Sequence, residues 1–171
     1  MSGLTPPVGA DDHVLGPRDA AIVLVEYGDY QCPYCGAAYP QLKVVQKAMG
    51  SRLCFVFRNF PLTNLHPQAM KAANFAEAAA KDGKFWEMHD TIFENQRRLN
   101  DRSLLDYATK VGLKTDSVQA ALRGDYDAKI KGDFRSGARS GVNGTPTLFV
   151  NGQRFDGAAE ADALIDYFNS L

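Results

Sequence analysis

The stretch Cys32-Pro33-Tyr34-Cys35 follows an apolar run, Ile22-Val23-Leu24-Val25, and opens a helix-like segment from Ala37 to Met49. A strand that feeds a helix puts both cysteines at the helix N-terminus, among unpaired N–H groups and at the positive end of the helix dipole. That setting favours a thiolate, the nucleophile of thiol–disulfide exchange. Pro33 suits an early helical position, where its missing N–H is not needed. Strand, Cys-x-x-Cys and helix in that order point to redox chemistry more strongly than the spacing alone. The competing reading is half of a zinc site, which needs two further ligands. The chain offers only Cys54 and the scattered His13, His66 and His89, with no second close-spaced pair. The expectation is a redox pair, no metal and no cofactor beyond a Cys32–Cys35 disulfide.

A chain of 171 residues suits one domain with room for an insertion, and an apolar fraction of 45% is ample for a core. The net charge of −1 gives no electrostatic reason to expect nucleic acid or an anionic membrane as partner. The longest apolar run, Ala20 to Val25, falls far short of the ~20 residues that span a bilayer, so no membrane span is expected. Met1 to Ala10 has neither a basic n-region nor an apolar h-region. Read as it stands the chain is expected in the cytoplasm, or in the periplasm or another extracytoplasmic space if a leader has been removed.

Residues 1–12, rich in Gly, Pro and Asp, are expected to lie loosely on the surface. His13-Val14-Leu15 suggests a short edge strand, and Ala21 to Tyr27, apolar apart from Glu26, a strand buried on both faces. The helix from Cys32 to Met49 contains Pro40, expected to kink it, and ends at Gly50. Leu53 to Phe57 is a second buried strand, joined to the first by a right-handed crossover and therefore parallel to it. From His66-Pro67 the apolar period becomes 3.6. Ala69, Ala72, Ala73, Ala76 and Ala80 line one helix, and Phe85, Met88, His89, Ile92 and Phe93 the next. A third is capped at Asn100 or Asp101, a fourth opens at Thr115, and a fifth runs from Asp125 towards Arg139 through Gly132 and Gly137. Thr147 to Val150, Asn151-Gly152 and Gln153 to Phe155 form a hairpin. Ala161, Leu164, Ile165 and Phe168 give a closing helix its core face.

Three motifs carry a family resemblance: Glu26-Tyr27-Gly28-Asp29-Tyr30-Gln31-Cys32-Pro33-Tyr34-Cys35, Arg58-Asn59-Phe60-Pro61-Leu62 leading to His66-Pro67, and Gly141-Val142-Asn143-Gly144-Thr145-Pro146-Thr147. With the order of elements, they resemble the DsbA-like branch of the thioredoxin superfamily, over nearly the whole chain from His13. The resemblance implies an α/β thioredoxin fold, with a central mixed β-sheet flanked by helices and an inserted all-helical subdomain. The thioredoxin-fold domain would comprise residues 13–62 and 141–171, and the insert residues 63–140. The dipeptide Pro33-Tyr34 departs from the Pro-His common in strongly oxidising members and is the one common in glutaredoxins.

The expected activity is that of a thiol–disulfide oxidoreductase on protein or peptide thiols and disulfides, reset by a redox recycling partner. Cys32, on the more exposed side of the turn, is the expected nucleophile, and Cys35, one helical turn further in, resolves the mixed disulfide. The resemblance implies a cis-proline at Pro146, which exposes the backbone of Thr145 for strand-like pairing with a substrate peptide. Glu26 is either a buried proton shuttle for Cys35, with a raised pKa, or a partly solvated strand-end acid. Pro33 and Tyr34 are expected at the substrate surface, with Tyr30 and Gln31 flanking it. Cys54 is expected to be an inert packed thiol, His66 to cap or pack at the first inserted helix, and His89 to be a hydrogen-bonded core residue. The rivals are a glutathione-linked, glutaredoxin-like reductase on the same fold and a non-enzymatic peptide-binding holdase.

Overall fold

The structure, a computed structural model, describes residues 3–171. Its strands are β1 (His13–Leu15), β2 (Ile22–Gly28), β3 (Leu53–Asn59), β4 (Thr147–Val150) and β5 (Gln153–Phe155). Its helices are α1 (Pro33–Met49), α2 (Ala69–Lys81), α3 (Phe85–Glu94), α4 (Asp101–Val111), α5 (Thr115–Arg123), α6 (Asp127–Arg139) and α7 (Ala161–Asn169). The strands form one mixed sheet in the order β1-β3-β2-β4-β5, in which only β2 and β3 run parallel. This is the thioredoxin fold, with helices on both faces of the sheet.

The two most apolar strands lie inside the sheet, as continuous apolar runs require. Alternation along β2 then sorts its side chains. Ile22 and Leu24 join Phe55 on the face covered by α1 and α7, through Ala38, Leu42, Val45, Leu164 and Phe168. Val25 and Tyr27 join Val56 and Phe149 on the opposite face. Glu26, two residues beyond Leu24, therefore points to the α1 side, opposite Phe57 on β3 and Leu148 on β4. The helix α1 is continuous through Pro40 and is closed at Gly50, whose N–H bonds the Gln46 carbonyl.

Five helices, α2 to α6, fill the interval between β3 and β4. α2 starts at Ala69, two residues after His66-Pro67, and is buried on nearly every side rather than along one alanine stripe. Asn100 caps α4 by accepting the Ser103 N–H. α6 runs unbroken through both of its glycines and lies against the sheet. A Cβ on Gly137 would stand 2.7 Å from the Phe60 ring, so a glycine is what lets the helix come this close. Phe134, one turn away, stacks on Phe60 at 4.1 Å.

The loose N-terminal segment expected from composition is corrected by the structure, apart from residues 1 and 2, which lie outside the described residues. Leu4 N–H bonds the Gly152 carbonyl and Thr5 N–H bonds the Ser140 hydroxyl. Arg58, 3% exposed on β3, donates to the carbonyls of Pro6 and Pro7 and to both carboxylate oxygens of Asp12. A buried guanidinium needs a counter-charge, and the segment supplies it.

Candidate active site

The strand β2 ends at Gly28, and four residues carry the chain into α1. Cys32 is the N-cap of α1 and Pro33 its first residue. Its sulfur leaves the helix uncapped, since no side-chain cap bond forms. That frees the sulfur for other partners. The two cysteines, both free thiols here, differ little in exposure, at 3% for Cys32 and 0% for Cys35. The exposed edge expected of Cys32 is thus narrow, because the Thr145-Pro146 loop and the insert close over the turn. Cys32 Sγ lies 3.6 Å from the Thr145 carbonyl oxygen. The Thr145–Pro146 bond is cis.

The two thiols are driven in opposite directions. The Cys35 thiol, the Thr145 side chain and the N–H groups of Cys35 and Tyr34 favour a Cys32 thiolate and outweigh burial, holding its pKa down at about 5. This is lower than the helix terminus alone suggests, since Thr145, 113 residues away, is invisible in a local pattern. The buried Thr145 hydroxyl makes no other hydrogen bond among the described residues, so it is left to turn to a Cys32 thiolate. Burial first, then the hydrogen bond to Cys32 and the nearby Glu26, push the Cys35 thiol well above the usual range.

Glu26, 2% exposed, has its pKa pushed up to about 8 by burial and, after it, by the Cys32 charge. The carboxyl is buried, not partly solvated at a strand end. At neutral pH it is mostly protonated, and it stands close enough to feel Cys32 and to be felt by Cys35. Tyr34 is 76% exposed and, with Ala37, Ala38, Gln41, Pro146 and Glu160, lines a groove of about 320 Å³. Tyr30, expected beside it, is instead fully buried, sharing a hydrogen bond of 2.9 Å with His89 Nδ1 among Phe57 and Phe93. That also places His89 in the core, where burial lowers its pKa to about 3. Cys54 is buried in β3, and burial raises its thiol pKa. No group of His, Cys, Asp and Glu among the described residues is placed to hold a metal ion. A larger cleft of about 830 Å³, lined by Arg58, Glu77 and Lys129 among others, touches neither cysteine.

The fold brings Cys32, Pro33, Tyr34, Cys35, Glu26, Thr145 and Pro146 to one end of the sheet. Three further residues at that end had no site role in the sequence. His66, expected to cap or pack at the first inserted helix, makes no side-chain cap bond to α2 and instead joins Asp29 at 2.8 Å; both lie in the quoted motifs, and Asp29 stands three residues before a helix N-cap, a turn-forming place. Gln96, 64 residues from Cys32, carries no local signal at all.

A family model described as thioredoxin matches residues 9–168. Among solved structures, the chain is 28% identical to a thioredoxin-like oxidoreductase from Silicibacter pomeroyi, with a TM-score of 0.81, covering 93% of this chain and 91% of that one. It shares its fold with BdbD from Bacillus subtilis (24% identity, TM-score 0.82, covering 92% and 90%) and with alpha-DsbA1 from Wolbachia pipientis (20%, 0.84, covering 100% and 96%). Over 160 residues, 92% of its length, it is 43% identical to a protein named Na+/H+ antiporter NhaA 1 of Salinispora arenicola. Over 163 residues, 93% of its length, it is 40% identical to one of the same name from Mycolicibacterium vanbaalenii. The chain spans about a quarter of the length of these curated relatives, 24% and 26%, so their name describes proteins that lie mostly outside the match. No helix of the described residues is long and apolar enough to cross a membrane. The motifs, the mixed sheet with its helical insertion and the family match agree: the chain belongs to the thioredoxin family, with the fold of its DsbA-like thiol–disulfide oxidoreductases.

Proposed function

We propose that the protein exchanges disulfides with protein or peptide thiols through Cys32 and Cys35. The observation that carries this is the place of the pair, Cys32 as the N-cap of α1 with its sulfur 3.6 Å from the Thr145 carbonyl and Cys35 one turn further in, where the two thiols are driven in opposite directions. In the oxidising direction a substrate thiolate attacks Cys32 of the Cys32–Cys35 disulfide. The Cys35 sulfur leaves and takes a proton, for which Glu26, buried and felt electrostatically by Cys35, is the proposed donor. A second substrate thiolate then attacks the substrate sulfur of the mixed disulfide, and Cys32 leaves as a thiolate. Two electrons pass from the substrate thiols to the pair, and a redox partner must remove them again. Reduction of a substrate runs the same steps backwards, with Glu26 accepting the Cys35 proton.

A sulfur that is stable as a thiolate is a good leaving group, and stabilising the reduced form makes the disulfide more oxidising. The direction favoured is therefore oxidation of substrates, which suits an oxidising compartment. The groove lined by Tyr34 and Pro146, residues close to Cys32 and Thr145 in the chain, offers a largely apolar floor for a peptide.

The test is trapping. Cys35→Ser should accumulate mixed disulfides with a reduced protein substrate on non-reducing gels, and Cys32→Ser should form none. Adducts from Cys32→Ser alone would reverse the roles. Turnover confined to glutathione and hydroxyethyl disulfide would move the protein to the glutaredoxin-like reading, and aggregation suppression that survives loss of both cysteines would move it to a holdase.

A further inference from the structure

The nucleophile's own peptide is held at both ends by side chains outside the Cys-x-x-Cys stretch. On one side, the carboxylate of Asp29 is buried and accepts four bonds. Oδ1 takes the N–H of Gln31 at 2.7 Å and of Cys32 at 3.1 Å. Oδ2 takes the N–H of Leu62 and the Nδ1–H of His66, each at 2.8 Å. The Asp29 N–H in turn lies 3.5 Å from Cys35 Sγ, so this one residue touches both halves of the pair. On the other side, Gln96 Nε2 donates to the carbonyl of Cys32 at 2.6 Å and of Tyr30 at 3.0 Å. Gly36 makes room for it, since a Cβ there would stand 2.1 Å from Gln96 Oε1.

We propose that Asp29, His66 and Gln96 act together as positioning residues that fix the Cys32 peptide and thereby set the thiolate stability of its sulfur. The physical reason starts from the cap. A helix N-terminus is usually fastened by the side chain of its N-cap residue. Here that side chain is the proposed nucleophile: the Tyr34 and Cys35 N–H groups favour its charge, but it closes no cap bond that would fasten the turn. The fastening has moved to Asp29, three residues upstream, and to Gln96 in the turn after α3. Asp29 is a carboxylate close to a developing thiolate, which by itself would oppose ionisation of Cys32. His66, by donating to the far carboxylate oxygen, draws that charge away from the cysteine and anchors the turn to the entry of the helical insert. Gln31 reinforces the same link, since its Oε1 accepts the Gln68 N–H at 2.8 Å.

Loss of His66 therefore has two effects of one sign. The carboxylate loses a donor and becomes more negative towards Cys32, and the turn loosens, so the N–H groups aimed at the sulfur lose alignment. Both raise the Cys32 pKa. Loss of Gln96 acts by loosening alone and should raise it less.

The inference rests on the exchange reading for its biological meaning, but its test does not. The Cys32 pKa is read from thiolate ultraviolet absorbance against pH, with Cys32→Ser as blank, whether or not exchange occurs. His66→Leu is expected to raise the pKa by about one unit, a tenfold loss of thiolate at a fixed pH below it. His66→Asn, whose amide N–H can reach the position of Nδ1, should restore most of the shift, and Gln96→Leu should raise the pKa by less than His66→Leu. The rate of attack on a small disulfide at pH 4, below the Cys32 pKa of about 5, should fall in the same order, since the loss of thiolate there outweighs the gain in nucleophilicity of a more basic sulfur. If His66→Leu and Gln96→Leu lower the melting temperature but leave the pKa and rate at wild-type values, the residues are structural only and the proposal is wrong. It is equally overturned if His66→Asn behaves like His66→Leu. A wild-type protein that shows a low Cys32 pKa yet exchanges with no thiol would end the exchange reading while leaving the pKa comparison decisive for the positioning residues.

Discussion

Replacing Glu26 by Gln removes a titratable group from the middle of the sheet at almost constant volume. Glu26 is 2% exposed, and its carboxyl rises from an ordinary 4.5 to about 8, by burial first and the Cys32 charge second. A folded pKa above the unfolded one means that the folded state binds the proton more tightly. The stability this gives is fully present below pH 4.5 and is lost as pH rises through 8. At ~1.36 kcal/mol per unit, wild type gives up less than about 1 kcal/mol of it at pH 5 and about 4 kcal/mol by pH 8. Glu26→Gln gives up none. The measurement is urea unfolding of the reduced proteins at pH 5 and pH 8. The mutant's advantage should grow by about 3 kcal/mol between the two. The Cys32 thiol also titrates in this window, but it is present in both proteins and cancels in the difference. Its influence on Glu26 is separable by repeating the pair in a Cys32→Ser background, where the advantage should shrink. A stability difference that is the same at pH 5 and pH 8 would refute the reasoning, since Glu26 would then not titrate across that window.

Thr145→Val removes a hydroxyl that helps hold the Cys32 thiolate, so the Cys32 pKa should rise above about 5 in an absorbance titration; an unchanged value would leave the Cys35 thiol and the backbone N–H groups as the whole cause. Tyr34→Ala strips an exposed ring from the groove beside Pro146 and should slow exchange with a protein substrate by about three- to tenfold, roughly 1 kcal/mol of contact, while sparing small disulfides. Equal slowing on both substrates would remove Tyr34 from peptide docking. Asp12→Ala leaves the buried Arg58 guanidinium without its carboxylate and should cost about 3 kcal/mol in urea unfolding, at the low end for a broken buried pair because Tyr27 and two carbonyls still accept from Arg58. A loss below about 0.5 kcal/mol, the range of an ordinary surface change, would mean that the N-terminal segment does not anchor the sheet.

Local chemistry was enough for the elements and for the pair of cysteines. Continuous apolar runs at β2 and β3, the 3.6 period of α2 to α5 and the Asn151-Gly152 hairpin all follow from side chains within one or two turns of each other. So does the place of Cys32 at a helix N-terminus, because strand, break and helix are consecutive. What required tertiary structure is whatever depends on which distant segments meet. Glu26 could be placed on the α1 face only once β3 and β4 had fixed the register on either side of β2. The Asp12–Arg58 pair tied down a segment whose composition suggested looseness, since composition does not register a buried cation that needs a partner. The depth of the Cys32 pKa depends on Thr145, 113 residues away, and the hold on its peptide depends on His66 and Gln96. A sequence shows which groups could be charged. The low dielectric and the fixed neighbours that decide whether they are come only with the packed fold.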